Sequence, residues 1–120
     1  MKHFMMICVG VLVLMTTNAA QAEMTARELL DMYDTGDEEM RDLVETIVDG
    51  NSNGISWLNS YLDEFRGAES QVYCPPDEFT VDGAGMILMM RTAMEHDPRY
   101  TDLPYGATVM FAYIDHFPCP

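Results

Sequence analysis

A calcium-binding loop is the first chemistry that the sequence suggests. Asp49, Asn51, Asn53 and Gly54 have the oxygen-donor spacing and the sixth-position glycine of an EF-hand loop. The match then fails, because the twelfth position, which should carry a bidentate glutamate, is Ser60. Asp49, Asn51 and Asn53 are therefore weak candidates for metal ligands, and the sequence favours a helix across them.

Four methionines at helical spacing offer a second metal chemistry: Met86, Met89, Met90 and Met94. Thioether sulfurs bind copper(I), a soft ion. However, all four lie on the apolar arc of a predicted helix, and methionine commonly fills irregular gaps in a core. Core packing is the favoured interpretation, and we expect no cofactor.

Catalytic groups do not converge in the sequence. His96 and His116 each lie near a predicted helix end without an obvious partner, whereas catalysis needs an acid, base or nucleophile brought together. Cys74 and Cys119 have no histidine and acid beside them that would activate a thiol. We therefore expect a protein that is not an enzyme.

The start of the chain has the pattern of a secretory signal peptide. Lys2 precedes an apolar run over residues 4–15, and Ala20-Gln21-Ala22 is a cleavage site. The apolar run is too short to anchor the chain in a membrane. We expect residues 1–22 to be removed and residues 23–120 to form one periplasmic domain without membrane association.

Two cysteines remain after residue 22, Cys74 and Cys119. In an oxidising compartment an even pair predicts a disulfide. Closing a loop of roughly 45 residues stabilises a fold by about 4 kcal/mol in the chain-entropy model.

The charge is strongly negative, with 20 acidic residues and a net charge of −14. This argues against nucleic acids and anionic membranes as partners, and favours a basic partner. The densest acidic patch is formed by Asp34, Asp37, Glu38, Glu39 and Asp42. It is either a partner-facing surface or a solvated helix start whose charge suits the helix dipole.

A long helix must carry most of these candidate residues. From Met40 to Phe65 the apolar residues keep one helical phase, within an arc of about 140°. The arc contains Met40, Leu43, Val44, Ile47, Val48, Ile55, Leu58, Tyr61, Leu62 and Phe65. Ser52 and Asn59 fall on the opposite, polar side, and only Asn51 breaks the pattern by pointing at the core. Asn51 is expected to be a buried amide that needs partners, or the site of a bend.

Gly50 and Gly54 lie one turn apart beside this arc, and we interpret them as positions where a second helix approaches closely. Trp57, at the margin of the arc, is either the edge of the core or a contact in a helix–helix homodimer.

Three shorter helices complete the prediction. Thr25 and Glu28 form a capping box before the first, Thr80 is expected to cap a third over residues 81–96, and the fourth covers residues 103–116. The expected fold is all-α, a compact bundle of about four helices with one long central helix, closed by one disulfide.

Taken together, these segments resemble the Rap/Tai family of exported immunity proteins, which are associated with amidase toxins delivered by type VI secretion. The matching segments are Glu28-Leu29-Leu30, Gly50, Gly54 to Tyr61 with Trp57 and Asn59, Tyr73-Cys74-Pro75-Pro76, and Phe117-Pro118-Cys119. The resemblance implies an all-helical fold, a Cys74–Cys119 disulfide and a periplasmic binding protein without catalysis. Many relatives carry a further cysteine near Met32 and Tyr33, so this chain is expected to have one bridge where they have two.

The leading functional hypothesis is an immunity-type protein that occludes the active-site cleft of a peptidoglycan amidase toxin. Two alternatives stay open: a periplasmic acid-stress chaperone that exposes its methionine face when the carboxylates are neutralised, and a periplasmic metal-binding protein.

Overall fold

The computed structural model describes residues 23–120, so the predicted signal peptide over residues 1–22 lies outside the described residues. Four α-helices follow one another, and we number them in chain order. They are α1 (Ala26–Thr35), α2 (Glu38–Arg66), α3 (Gly83–His96) and α4 (Tyr105–His116). Short 3₁₀ helices cover Ala68–Ser70 and Pro98–Asp102. The described chain contains no β-strand, and the all-α prediction is confirmed.

The capping box predicted at the start of α1 is present. The Thr25 side chain accepts a hydrogen bond from the Glu28 amide at 3.2 Å, and the Glu28 carboxylate accepts one from the Thr25 amide at 2.8 Å. The next amide, that of Ala26, donates to the Leu103 carbonyl at 2.9 Å. The beginning of α1 is thereby fixed beside the segment that enters α4.

Helix α2 is continuous over 29 residues, and the long-helix prediction is confirmed. It begins after Asp37, whose carboxylate accepts a hydrogen bond from the Met40 amide at 3.0 Å. The calcium-loop alternative is wrong, because Asp49 to Gly54 are helical. Within this helix the Asn53 amide donates to the Asp49 carboxylate at 3.1 Å, as residues one turn apart do.

The starts of α3 and α4 differ from the predicted ones. Asp82, rather than Thr80, caps α3 by accepting a hydrogen bond from the Gly85 amide at 2.8 Å. Helix α4 begins at Tyr105 because Leu103 precedes Pro104, and a residue before proline is held extended.

The core lies where α3 meets the other helices, and the methionine face of α3 is part of it. Met86, Met89 and Met90 are buried and Met94 is partly buried, which confirms core packing over an exposed thioether site. The other helices contribute Leu29, Leu30, Val44, Val48, Val109, Ala112 and Tyr113.

The packed face of α2 is rotated from the predicted one. Val44 and Val48 are buried as expected, but so are Ser52 and Asn59, which were assigned to the polar side. Conversely, four residues of the predicted apolar arc are exposed: Leu43, Leu58, Tyr61 and Phe65. The rotation is stable because Ser52 and Asn59 both find hydrogen-bond partners in the bundle, as described below.

The predicted role of Gly50 and Gly54 is also wrong. A β-carbon at either position would meet nothing within 4 Å, so no helix of the bundle approaches there. The close approach is at Gly83 instead, where a β-carbon would collide with the backbone of Glu45 on α2. A β-carbon on Gly106 of α4 would make a milder contact, 3.0 Å from the side-chain nitrogen of Asn51.

The predicted disulfide is confirmed. Cys74 and Cys119 are bonded, with their Cα atoms 4.9 Å apart. The Cys74 amide also donates to the Phe117 carbonyl at 2.8 Å, so the extended segment after α2 is paired with the end of the chain.

Candidate interaction surfaces

Acidic side chains gather at the beginning of α2 and α3. Asp37, Glu38, Glu39 and Asp42 line one open hollow, and Asp42 also lines a second one with Glu45, Asp49 and Asp82. We call these seven residues the acidic face. No basic side chain lines either hollow. The structure therefore joins four of the five residues of the predicted acidic patch to three that the sequence did not single out.

Asp34, the fifth residue of the predicted patch, is placed differently. Its carboxylate accepts a hydrogen bond from Arg91 on α3 at 2.5 Å, so its charge is partly compensated. It joins α1 to α3 and does not line either acidic hollow.

Two features fix the acidic face in place. Gly83 at the start of α3 lies directly against the backbone of Glu45, which sets the spacing of the two helices. The Glu45 carboxylate accepts a hydrogen bond from the Tyr33 hydroxyl at 2.8 Å. This bond is the main reason that the pKa of Tyr33 is raised, with burial adding to it. Held carboxylates in an open hollow can attract and orient a basic group.

The acidic face is not a ready metal centre. Within residues 23–120 no three side chains of histidine, cysteine, aspartate or glutamate come together in a way that could hold an ion. Asp49 lies on the acidic face, whereas Asn53 is exposed and bonded to it and Asn51 points inward. The three weak metal candidates therefore do not converge.

A second surface, on the other side of α2, is apolar. Five large exposed side chains belong to it, Leu43 near the beginning of the helix and four in its second half: Trp57, Leu58, Tyr61 and Phe65. We call them the apolar stripe. In its second half the exposed fraction runs from 50% at Tyr61 to 78% at Trp57. The interpretation of Trp57 as the edge of the core is wrong, because most of its surface is exposed to solvent.

The apolar stripe also lacks charge at its centre. From Gly50 to Leu62 the chain has no acidic or basic residue, although the molecule as a whole carries a net charge of −14. The Tyr61 and Phe65 rings contact each other, with centroids 4.9 Å apart. A neutral apolar surface of this kind is typical of the centre of a protein interface.

The buried hydrogen bonds of Ser52 and Asn59 determine which side of α2 is exposed. The Asn59 side-chain amide donates to the Tyr73 carbonyl at 2.9 Å, and its oxygen accepts from the Val72 amide at 2.7 Å. About two turns earlier, the Ser52 hydroxyl is hydrogen-bonded to that of Tyr113 at 2.6 Å. These buried bonds turn Ser52 and Asn59 inward, and the apolar stripe outward.

Asn51 does point toward the bundle, as expected, and the helix is continuous through it. Its side-chain oxygen is buried without a hydrogen-bond partner. The amide lies against Gly106 of α4, where an added β-carbon would be 3.0 Å from the nitrogen. A glycine in α4 therefore makes the space that this amide occupies.

The two histidines of the described chain line the same hollow, which the sequence could not show. His96, Asp115 and His116 line one shallow hollow at the ends of α3 and α4. Nδ1 of His96 is 3.6 Å from the Asp115 carboxylate, and Nδ1 of His116 is 3.0 Å from the Ala112 carbonyl. Thr92 in the same hollow donates its hydroxyl to the Leu88 carbonyl, so it is not paired with a histidine as an activated nucleophile would be.

A cleft of about 100 Å³ runs between α2 and the segment that follows Tyr73. Its lining includes Ser56, Phe79 and Tyr113. It is smaller than a typical small-molecule site, which encloses about 300 Å³ or more.

Comparisons of the chain with family models, with curated proteins and with solved structures found no match. The resemblance to the Rap/Tai family therefore stays a prediction. Among the described residues, no helix has the length and apolar character needed to cross a membrane.

Proposed function

We propose that this protein is an exported immunity-type binding protein, which neutralises a peptidoglycan amidase toxin delivered by type VI secretion by occluding its active-site cleft. The family resemblance suggests the class of partner. The structure supports a protein that acts through its surfaces, with an all-helical bundle, one disulfide and two distinct exposed patches on α2.

The observation that carries the proposal is the acidic face. Its carboxylates line open hollows with no basic side chain among them. A partner must bring positive charge to this surface to avoid repulsion, and complementary charge speeds association and selects the partner. A basic rim around an amidase cleft meets that requirement.

The rigidity of this surface favours occlusion. The acidic face lies on two helix starts, capped by Asp37 and Asp82, and the contact of Gly83 with α2 holds them together. A surface that is already ordered loses little conformational entropy when it binds. Binding of a rigid bundle over a cleft would exclude substrate without any reaction by the protein itself.

The first experiment is to recover the partner. The chain, carrying an affinity tag and exported by its own leader, is used to capture proteins from a periplasmic extract, and the adjacent open reading frames are read. We expect a cell-wall amidase in both. Recovery of no cell-wall hydrolase, together with a neighbourhood that encodes none, would overturn the proposal.

The second experiment tests the surface. Neutralising the acidic face in the variant Glu39→Gln/Asp42→Asn/Asp49→Asn should lower the association rate with the captured amidase by about 10-fold or more at low salt. The control Asp31→Asn/Glu95→Gln removes two exposed acidic charges outside the acidic face, against three in the test variant, and should change the rate by less than about twofold. Equal effects of the two variants would show that the acidic face is not the binding surface.

A further inference from the structure

We infer that the cleft between α2 and the segment after Tyr73 is a binding site for a guanidinium group, and that it takes an arginine side chain of the protein that binds the acidic face. The inference rests on the proposed function for the identity of that partner. The binding of arginine itself is a property of this chain and is tested on the chain alone.

The cleft has the size of one side-chain end group. Its volume of about 100 Å³ is room for about three water molecules at liquid density. That is too little for a whole small-molecule ligand, but it is close to the space that a planar guanidinium occupies. The cleft is also more enclosed than the two acidic hollows, so a group inside it loses much of its contact with bulk water.

The lining offers hydrogen-bonding groups without charge. Five polar residues belong to it: Asn53, Ser56, Tyr73, Thr80 and Tyr113. A hydroxyl has two acceptor lone pairs, so the bond between Tyr113 and Ser52 leaves Tyr113 able to accept another. Burial raises the pKa of Tyr73 and Tyr113, so both hydroxyls stay neutral at physiological pH. A guanidinium has five N–H donors and no acceptor, and therefore suits a wall that is rich in acceptors.

Aromatic rings form much of the remaining wall. Tyr73 and Tyr113 stack with centroids 4.4 Å apart, and Phe79 packs edge-on against Phe117 at 4.5 Å, so these rings are held in place. A guanidinium is planar and weakly hydrated and stacks on aromatic faces, whereas the lysine ammonium is a compact, strongly hydrated charge. A small, neutral, aromatic cleft therefore favours arginine over lysine.

The surroundings of the cleft supply the attraction for a cation. Asn53 in the lining donates to the Asp49 carboxylate of the acidic face at 3.1 Å, so the cleft adjoins that face. The turn over residues 75–79, both ends of which line the cleft, carries the exposed Asp77 and Glu78. Of the described residues that line the cleft, none is charged. A basic partner on the acidic face would thus bring its side chains to an opening that attracts cations and does not pair with them on the surface.

The test is a titration of the isotope-labelled chain, with its disulfide intact, followed by backbone amide chemical shifts at constant ionic strength. The probes are N-acetyl-arginine amide, the equally charged N-acetyl-lysine amide, and the neutral isostere N-acetyl-citrulline amide. We expect arginine to shift the amides of Ser56, Thr80 and Val81, with half-saturation at about 1 to 10 mM for a single side chain. Lysine should bind about threefold or more weakly, and citrulline should not saturate. Equal shifts with arginine and lysine, or none with arginine, would overturn the inference.

Variants locate the binding. Ser56→Leu fills the cleft and should weaken arginine binding by about 10-fold or more, whereas Ser60→Leu, at an exposed serine one turn later on α2, should leave it unchanged. Thr80→Lys places positive charge at the cleft from an exposed position, so it should weaken binding equally without disturbing the core. Its control is Thr92→Lys at an exposed threonine on α3. Unchanged arginine binding in Thr80→Lys would overturn the inference.

Kinetics with the amidase separate this inference from the proposed function. A side chain held in a cleft affects mainly dissociation, whereas charge at the rim affects mainly association. Ser56→Leu should therefore raise the dissociation rate by about 10-fold or more and change the association rate by less than about twofold. An unchanged dissociation rate would overturn the inference and leave the proposed function in place. An amidase that never binds would overturn the proposed function, and the titration would still decide whether the cleft binds arginine.

Discussion

At the scale of single residues, Asn59 helps to determine which side of α2 packs against the bundle, although its position in the sequence suggests an exposed polar residue. It joins α2 to the backbone of Val72 and Tyr73 through both ends of its side chain. Its partners are backbone groups 13 and 14 residues away, so no local pattern predicts them. An asparagine followed by a serine on a helix is normally placed in solvent, and the sequence-based assignment followed that rule.

We predict that Asn59→Ala lowers the free energy of unfolding by about 2 to 3 kcal/mol, because it leaves buried backbone groups without partners. The exposed amide of Asn53, also on α2, provides the control. Asn53→Ala should change stability by less than about 0.5 kcal/mol. Urea unfolding followed by circular dichroism measures the stability of both variants. Equal effects would show that the hydrogen bonds of Asn59 do not stabilise the fold.

The stacked tyrosines beneath α2 predict a response to alkali. The Tyr73 and Tyr113 rings stack with centroids 4.4 Å apart, and burial raises the pKa of both hydroxyls. A folded-state pKa above the unfolded value of about 10 means that their contribution is complete below pH 10 and is lost as pH rises through the folded values.

We therefore expect the free energy of unfolding to fall above about pH 10. Tyr113→Phe should make that fall shallower, because it removes one of the tyrosine hydroxyls whose pKa is raised. It should also cost about 1 kcal/mol at neutral pH through the lost bond to Ser52. Urea unfolding at a series of pH values tests this, and an identical alkaline slope in the variant would contradict it.

At the scale of elements, the sequence predicts that α2 exists but not how it is oriented. Its continuous apolar phase correctly indicated a helix through Asn51 and Gly54. The same arc was too broad to show which part packs, because the bundle covers only the side with Val44 and Val48. The rest of the predicted apolar arc is exposed and forms the apolar stripe. Ser52 and Asn59 take its place on the packed face, and both are hydrogen-bonded to residues of other elements.

The glycines give the sharpest test at this scale. Gly83→Ala should destabilise the fold by about 1 to 3 kcal/mol, since its β-carbon would collide with the backbone of Glu45. Gly54→Ala points into open space and should stabilise the folded chain by up to about 1 kcal/mol through helix propensity.

Thermal and urea unfolding of the two glycine variants should be measured at a concentration where the chain is monomeric. This removes any effect of Gly54 on self-association. A stabilising Gly83→Ala, or a destabilising Gly54→Ala, would mean that the helix contacts are not those described here.

At the scale of the whole molecule, the helical class and the disulfide followed from the sequence because they depend on local periodicity and on the pair of cysteines after residue 22. The exposed surfaces could not be predicted from the sequence in the same way. The acidic patch was visible only in part, because Glu45, Asp49 and Asp82 join it through the packing of α3 on α2. The placement of His96 and His116 around one hollow likewise depends on how α3 and α4 end together.

The disulfide should supply much of the stability of so small a domain. Replacing both cysteines in Cys74→Ser/Cys119→Ser is expected to cost about 4 kcal/mol, since the bond closes a loop with a separation of 45 residues. Reduction of the unaltered chain should reproduce the loss. A variant as stable as the oxidised protein would indicate that the segment after α2 is held by Asn59 and the backbone alone.

The most direct test of the account is whether this protein inhibits the hydrolysis of peptidoglycan by the amidase that we propose as its partner. Adding the purified chain should abolish the activity at about one chain per enzyme, as expected for a tight protein inhibitor. The acidic-face variant Glu39→Gln/Asp42→Asn/Asp49→Asn should require more protein, and the control Asp31→Asn/Glu95→Gln should not. Undiminished hydrolysis in the presence of excess protein would contradict the proposed function.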